Sequence, residues 1–121
     1  MGNFEKISES MAIAVILSDL KIVTEERQYL LDRKIMSNEE IDELDKKDFE
    51  IVIQKLVTDS LKLAKEENLG REKISELLVE LFDVSCVDGQ ISLLELKTIH
   101  DFAEKSGFTK EELAYYLMNI M

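Results

Sequence analysis

The chain is 121 residues long and carries 26 acidic against 15 basic side chains, a formal net charge of −11. Such a field repels nucleic-acid backbones and anionic membrane surfaces and attracts cations and basic protein faces, which excludes DNA and RNA binding as an expectation. With 45% apolar residues this is no disordered acidic tail but one domain around one core, and the absence of proline favours an all-helical fold.

The 3.6-residue apolar period predicts a first helix from about Glu5 to Ser18, with Ile7, Met11, Ala14, Val15 and Ser18 on one face and Ile13 and Leu17 widening it. A break follows at Asp19-Leu20-Lys21. Thr24 reads as the N-cap of a second helix that has Glu25 and Glu26 in its first turn, carries Tyr29 and Leu30, and fades near Ile35. Ser37 and Glu40 have capping-box spacing and open a short acidic helix through Ile41 and Leu44. The most apolar helix occupies about 47–67, through Phe49, Ile51, Val52, Ile53, Leu56, Val57, Leu61 and Leu63, and its wide stripe predicts a central position. Asn68-Leu69-Gly70 stops it.

The next helix, Lys73 to about Val87, aligns Ile74, Leu77, Leu78, Leu81, Val84 and Ser85. At its end Gly89 lets the backbone turn through positive φ, and Ile91 is expected in the core. Ser92–Lys105 follows, stopped by Ser106-Gly107. Thr109 and Glu112 form another capping box before a final helix with Leu113, Tyr116, Leu117 and Ile120 on one side. The expected architecture is all-α: seven helices in antiparallel pairs, with half-repeats over about 5–45 and 71–121 around the central helix.

Cys86 is the only cysteine, so neither an intrachain disulfide nor a thiolate zinc cage is available, which fits a reducing, cytoplasmic setting. Its place beside an apolar helical face predicts core filling. No apolar run approaches the roughly 18 residues of a membrane helix. The longest, Met11–Leu17, is also too short for a signal peptide, and Lys6 stands where a myristoylation start carries Ser or Thr.

Residues 19–30 can be laid on residues 88–99. Asp19 then falls on Asp88, Ile22 on Ile91, Glu26 on Glu95 and Leu30 on Ile99. Both copies follow an apolar helix and precede a capped acidic one, so the pattern Asp-x-x-Ile-x-x-x-Glu reads as an internal duplication. On Asp88-Gly89-Gln90-Ile91-Ser92-Leu93-Leu94-Glu95-Leu96, Ile99 and Phe102-Ala103-Glu104-Lys105-Ser106-Gly107-Phe108, the sequence resembles the TerB-like family of tellurite-resistance and stress-response domains. The resemblance is strongest from about Leu77 to Leu117; in the first half Leu20 replaces the glycine. It implies an all-helical domain of two related halves, cytoplasmic in a bacterium or phage. It further implies no established catalysis, a divalent cation held by the signature acids, and membrane-proximal stress complexes as the setting.

The residues themselves give Asp88 and Glu95 as primary candidate metal ligands, with Asp19 and Glu26 as the second pair. Carboxylates suit Ca²⁺ or Mg²⁺; Zn²⁺ is less suited without an adjacent His or Cys. Ser92-x-x-Glu95 is also a capping box, and first-turn stabilisation accounts for Glu26. Asp19 and Asp88 each follow a helix end, where the macrodipole disfavours an anion but an aspartate can bond a local turn. An EF-hand is ruled out because, with Gly89 at loop position six, Val84 and Cys86 occupy positions one and three.

Neither His100 nor any serine or cysteine sits in a nucleophile arrangement, and no glycine loop cradles phosphate, so the expectation is a non-enzymatic acidic interaction module. Its partner would be a protein with a basic face or one at the membrane surface, without insertion. Tyr115, Met118 and Met121 mark a candidate patch. The alternative is an inhibitor or immunity-type protein that masks a basic target, without metal, through Glu39, Glu40, Asp42, Glu43 and Asp45.

Overall fold

The computed structural model describes residues 3–20, 22–87 and 92–120, apart from the side chains of 45 and 116–120. Among the described residues there are seven helices and no strand: α1 (Asn3–Leu17), α2 (Thr24–Asp32), α3 (Asn38–Asp45), α4 (Phe49–Glu66), α5 (Arg71–Ser85), α6 (Leu93–Lys105) and α7 (Lys110–Ile120). No helix is long and apolar enough to cross a membrane, again among the described residues.

Local chemistry explains most boundaries. Ser37, Ser92 and Thr109 each accept from the backbone N–H three residues on, and Glu40, Glu95 and Glu112 each reach back to accept from the N-cap N–H, three closed capping boxes. Asp48 starts α4 by accepting from the Glu50 N–H at 3.1 Å. Helices α2, α4 and α6 end in left-handed residues Lys34, Asn68 and Gly107. The next N–H in each case, from Ile35, Leu69 and Phe108, returns to the carbonyl of Leu30, Ala64 and Ala103. This is the Schellman closure that satisfies helix-end carbonyls.

The central place belongs to α1 rather than to the helix over 47–67. Ile7, Met11, Ala12, Ala14, Val15, Ile16 and Leu17 are all buried, which is more of a helix circumference than one neighbour can cover. Helix α4 lies antiparallel along it: Asn3 hydrogen-bonds Glu67 at one end, and Leu17 clusters with Phe49 and Leu44 at the other. Only Phe49 and Ser60 of α4 are buried, and Ile51 is 67% exposed. Stripe width reported how apolar α4 is, not how much of it is covered. Helix α5 closes a second side of α1 with Ile74, Leu77, Leu78, Leu81, Phe82 and Val84, and α6 adds Ile99, Phe102 and Ala103. Ser18 bonds the Ala14 carbonyl and the Thr98 hydroxyl, tying the end of α1 to α6.

Ile22 packs partly buried against the core, whereas its repeat counterpart Ile91 lies outside the described residues. So do the side chains of Tyr116, Leu117 and Ile120 expected on one side of α7. Cys86 is exposed, not core, because α5 ends at Ser85 and the thiol falls past its buried face.

Leu20 has φ 62° and is 53% exposed. A left-handed leucine costs roughly 1–2 kcal/mol, partly offset in a comparison with glycine by glycine's greater freedom when unfolded. Leu20→Gly is therefore expected to raise stability by about 1 kcal/mol or less and Tm by a few degrees, read by thermal and urea denaturation. A loss of stability would show that the leucine side chain contributes more than its backbone strain costs.

Candidate functional site

The chain turns out of α1 at Ser18–Leu20 and enters α2 beside the start of α6. Three carboxylates meet there. Asp19 follows the α1 C-terminus, while Glu26 and Glu95 each stand third in α2 and α6, and one oxygen from each lies within 4.8 Å of the others. Asp19 is partly exposed, whereas Glu26 and Glu95 are each 1% exposed.

The N-cap of α2 is Val23, not Thr24. Valine offers no acceptor, so only half of a capping box exists: the Val23 N–H donates to Glu26 Oε1 at 3.0 Å. In α6 the box is complete, with the Ser92 N–H donating to Glu95 Oε1 at 3.3 Å. Val23 and Ser92 are equivalent under the 19-on-88 alignment, so both glutamates point into the junction by the same first-turn device. Glu95 Oε2 is left over. It is buried and has no hydrogen-bond partner among the described residues.

Burial pushes the Glu95 carboxyl from its usual range up to about 7; the Ser92 N–H pulls it down, and the negative charges of Asp19 and Glu26 push it up again. The junction is thus a small, mostly buried oxygen cage with an excess of negative charge. The N-termini of α2 and α6 favour anions there, and the α1 C-terminus adds negative potential of its own. Protons and hard cations are what such a cage can hold.

Of the four acids expected from sequence, the structure brings Asp19, Glu26 and Glu95 together, and Asp88 lies outside the described residues. Glu95, from the second of the two aligned segments, joins both acids of the first. The acids of α3 stand apart on the surface. Glu39, Glu40, Asp42 and Glu43 are exposed, Asp42 pairs with Arg27 at 3.0 Å, and the Asp45 side chain lies outside the described residues. His100 is half-buried and faces Glu104 at 3.5 Å, while Tyr115 is exposed. No family model, no curated protein and no solved structure matches the chain.

The Glu95 carboxyl sets a pH dependence with a definite sign. Its folded-state value lies above that of the unfolded chain, so between about 4.5 and 7 the folded form holds the proton more tightly. The stability this contributes is fully present below about 4.5 and is lost as pH rises through about 7. Glu95→Gln keeps an oxygen for the Ser92 N–H and removes the charge. Without divalent cation it is expected to match the parent near pH 4.5 and exceed it at pH 8, on the order of 1–3 kcal/mol by urea denaturation. A constant difference across that range would refute the buried-charge account.

Proposed function

We propose that the chain is a non-enzymatic TerB-like interaction module whose helix junction takes a divalent cation, acting in a bacterial or phage-related stress-response or defence setting in the cytoplasm. Asp19, Glu26 and Glu95 would hold the ion. The observation that carries the reading is the convergence of these three carboxylates within 4.8 Å, with the buried Glu95 Oε2 lacking a hydrogen-bond partner among the described residues. Oxygens gathered this closely suit a hard cation, Ca²⁺ or Mg²⁺, both of which take all-oxygen ligand sets. All-oxygen donors without His or Cys make Zn²⁺ the poorer fit.

The ion's chemistry here is structural. It neutralises the repulsion between the three acids and joins the α1–α2 turn to the first turn of α6, fixing the surface those segments present. The partner is a protein, and the net charge of −11 favours a basic face on it. The resemblance of residues 77–117 to TerB-like domains supplies the biological setting, and the duplicated acids supply the site.

The test is a backbone-amide NMR titration with Ca²⁺, Mg²⁺, Mn²⁺ and Zn²⁺ at physiological salt, where loose counterion binding to the surface is screened. Saturable shifts centred on Asp19, Glu26 and Glu95 are expected, and Glu95→Gln is expected to weaken binding about tenfold or more. Weak shifts spread over every acidic patch, or unchanged affinity in Glu95→Gln, would remove the cation from the reading.

A further inference from the structure

Helices α4 and α6 run side by side in the same direction and touch only sparingly. At one end Glu50, Ile53 and Gln54 of α4 face Leu94, Thr98 and Asp101 of α6 across a cleft of about 270 Å³. Three turns on, Leu61, Lys62 and Lys65 face Lys105 across a cleft of about 520 Å³, floored by Leu69 and Ile74. The α4 positions 50, 53, 54, 61 and 65 and the α6 positions 94, 98, 101 and 105 follow helical spacing, with Lys62 and Lys97 at the margin, so the two clefts are aligned along one face of the helix pair, the furrow between α4 and α6. Between them Val57 is partly buried, giving the floor an apolar middle.

The charges are sorted along this furrow. Glu50 and Asp101 line one end, with Lys97 beside them. At the other end Lys62, Lys65 and Lys105 converge with no carboxylate in the lining, and none makes an ion pair among the described residues. Lys65 and Lys105 stand in the last turns of their helices, where they also offset the macrodipole; Lys62 does not. In a chain with 26 acids against 15 bases, this is a marked local reversal of sign. At the acidic end Leu20 and Leu94 are each about half exposed, and Leu20 is held in a left-handed backbone.

We propose that the furrow between α4 and α6 receives an amphipathic helix of a partner protein, lying antiparallel to both. Its acidic first turn meets Lys62, Lys65 and Lys105, and its basic last turn meets Glu50 and Asp101. Two adjacent parallel helices leave a surface shaped for a third, and the direction follows from charge, because helices favour acids in the first turn and bases in the last. Glu50 to Lys65 rises about 22 Å, so the charged ends are too far apart for one small ligand and match a helix of about 15–18 residues. The proposal rests on the reading of the chain as an interaction module but not on the cation.

Two synthetic probes of about 18 residues test it, each with a leucine–alanine stripe and blocked ends. One carries glutamates in its first turn and lysines in its last; the other has the charges exchanged. In amide NMR titrations at physiological salt, the first is expected to shift signals of α4 and α6 and to bind about tenfold more tightly than the second. Lys62→Glu, Lys65→Glu and Lys105→Glu together should reverse that preference; all three lysines are exposed, and retained helicity checks the fold.

Equal affinity for the two probes, shifts away from the furrow, or no binding at all overturns the proposal. Sedimentation that shows a dimer dissolved by the triple substitution would assign the furrow to a second copy instead and overturn the partner helix. If the probes fail while Ca²⁺ titrates normally, the furrow falls and the cation module stands. The reverse result leaves the furrow and removes the ion.

Discussion

Everything in this fold follows from the burial of α1. Seven of its side chains are inaccessible, spread around most of its circumference, so neighbours are needed on several sides at once. Helices α4, α5 and α6 supply them, and the short helices α2 and α3 close the remaining edge through Leu30 and Ile41. The cost falls at the end of α1. A helix surrounded by others must release its chain into a crowded place, and the turn at Ser18–Leu20 does so beside the first turn of α6, with Ser18 bonded to Thr98. The acidic junction is therefore a product of packing as much as of the acids themselves.

What could be read from sequence was what neighbouring residues decide. Ser37, Ser92 and Thr109 each carry a glutamate three positions on, and all three open helices as expected, because a capping box is settled within one turn. Val23 escaped that logic. Its side chain cannot cap, so Thr24 looked the better start, although Glu26 makes the same reach to the backbone that Glu95 does. The alignment of residues 19–30 on 88–99 held the information, since it sets Val23 on Ser92. The place of α4 could not be read in the same way: Ile51 and Ile53 look alike in a periodic stripe, and only the position of α1 decides which is left in solvent.

The candidate site divides along the same line. That Asp19, Glu26 and Glu95 are chemically notable was visible from the repeated Asp-x-x-Ile-x-x-x-Glu pattern. That Glu95 crosses to join the first pair was not, since the contact spans most of the chain and depends on three helix ends arriving together. The lysine end of the α4–α6 furrow was equally hidden. Lys62 and Lys65 lie near the end of one helix and Lys105 at the end of another, some forty residues on, and only their convergence distinguishes them.

The two regions share backbone, and this gives the surface chemistry a common origin. Leu20 follows Asp19 directly, Leu94 precedes Glu95, and both leucines line the acidic end of the furrow. Whatever relieves repulsion within the carboxylate cluster, whether a proton on Glu95 or a cation among the three, acts on the two segments that carry those leucines. The left-handed backbone at Leu20 belongs to the same economy. A glycine would relax the turn but would take an apolar side chain off the rim of the furrow, so strain, exposure and the acid beside it are one feature of the junction rather than three.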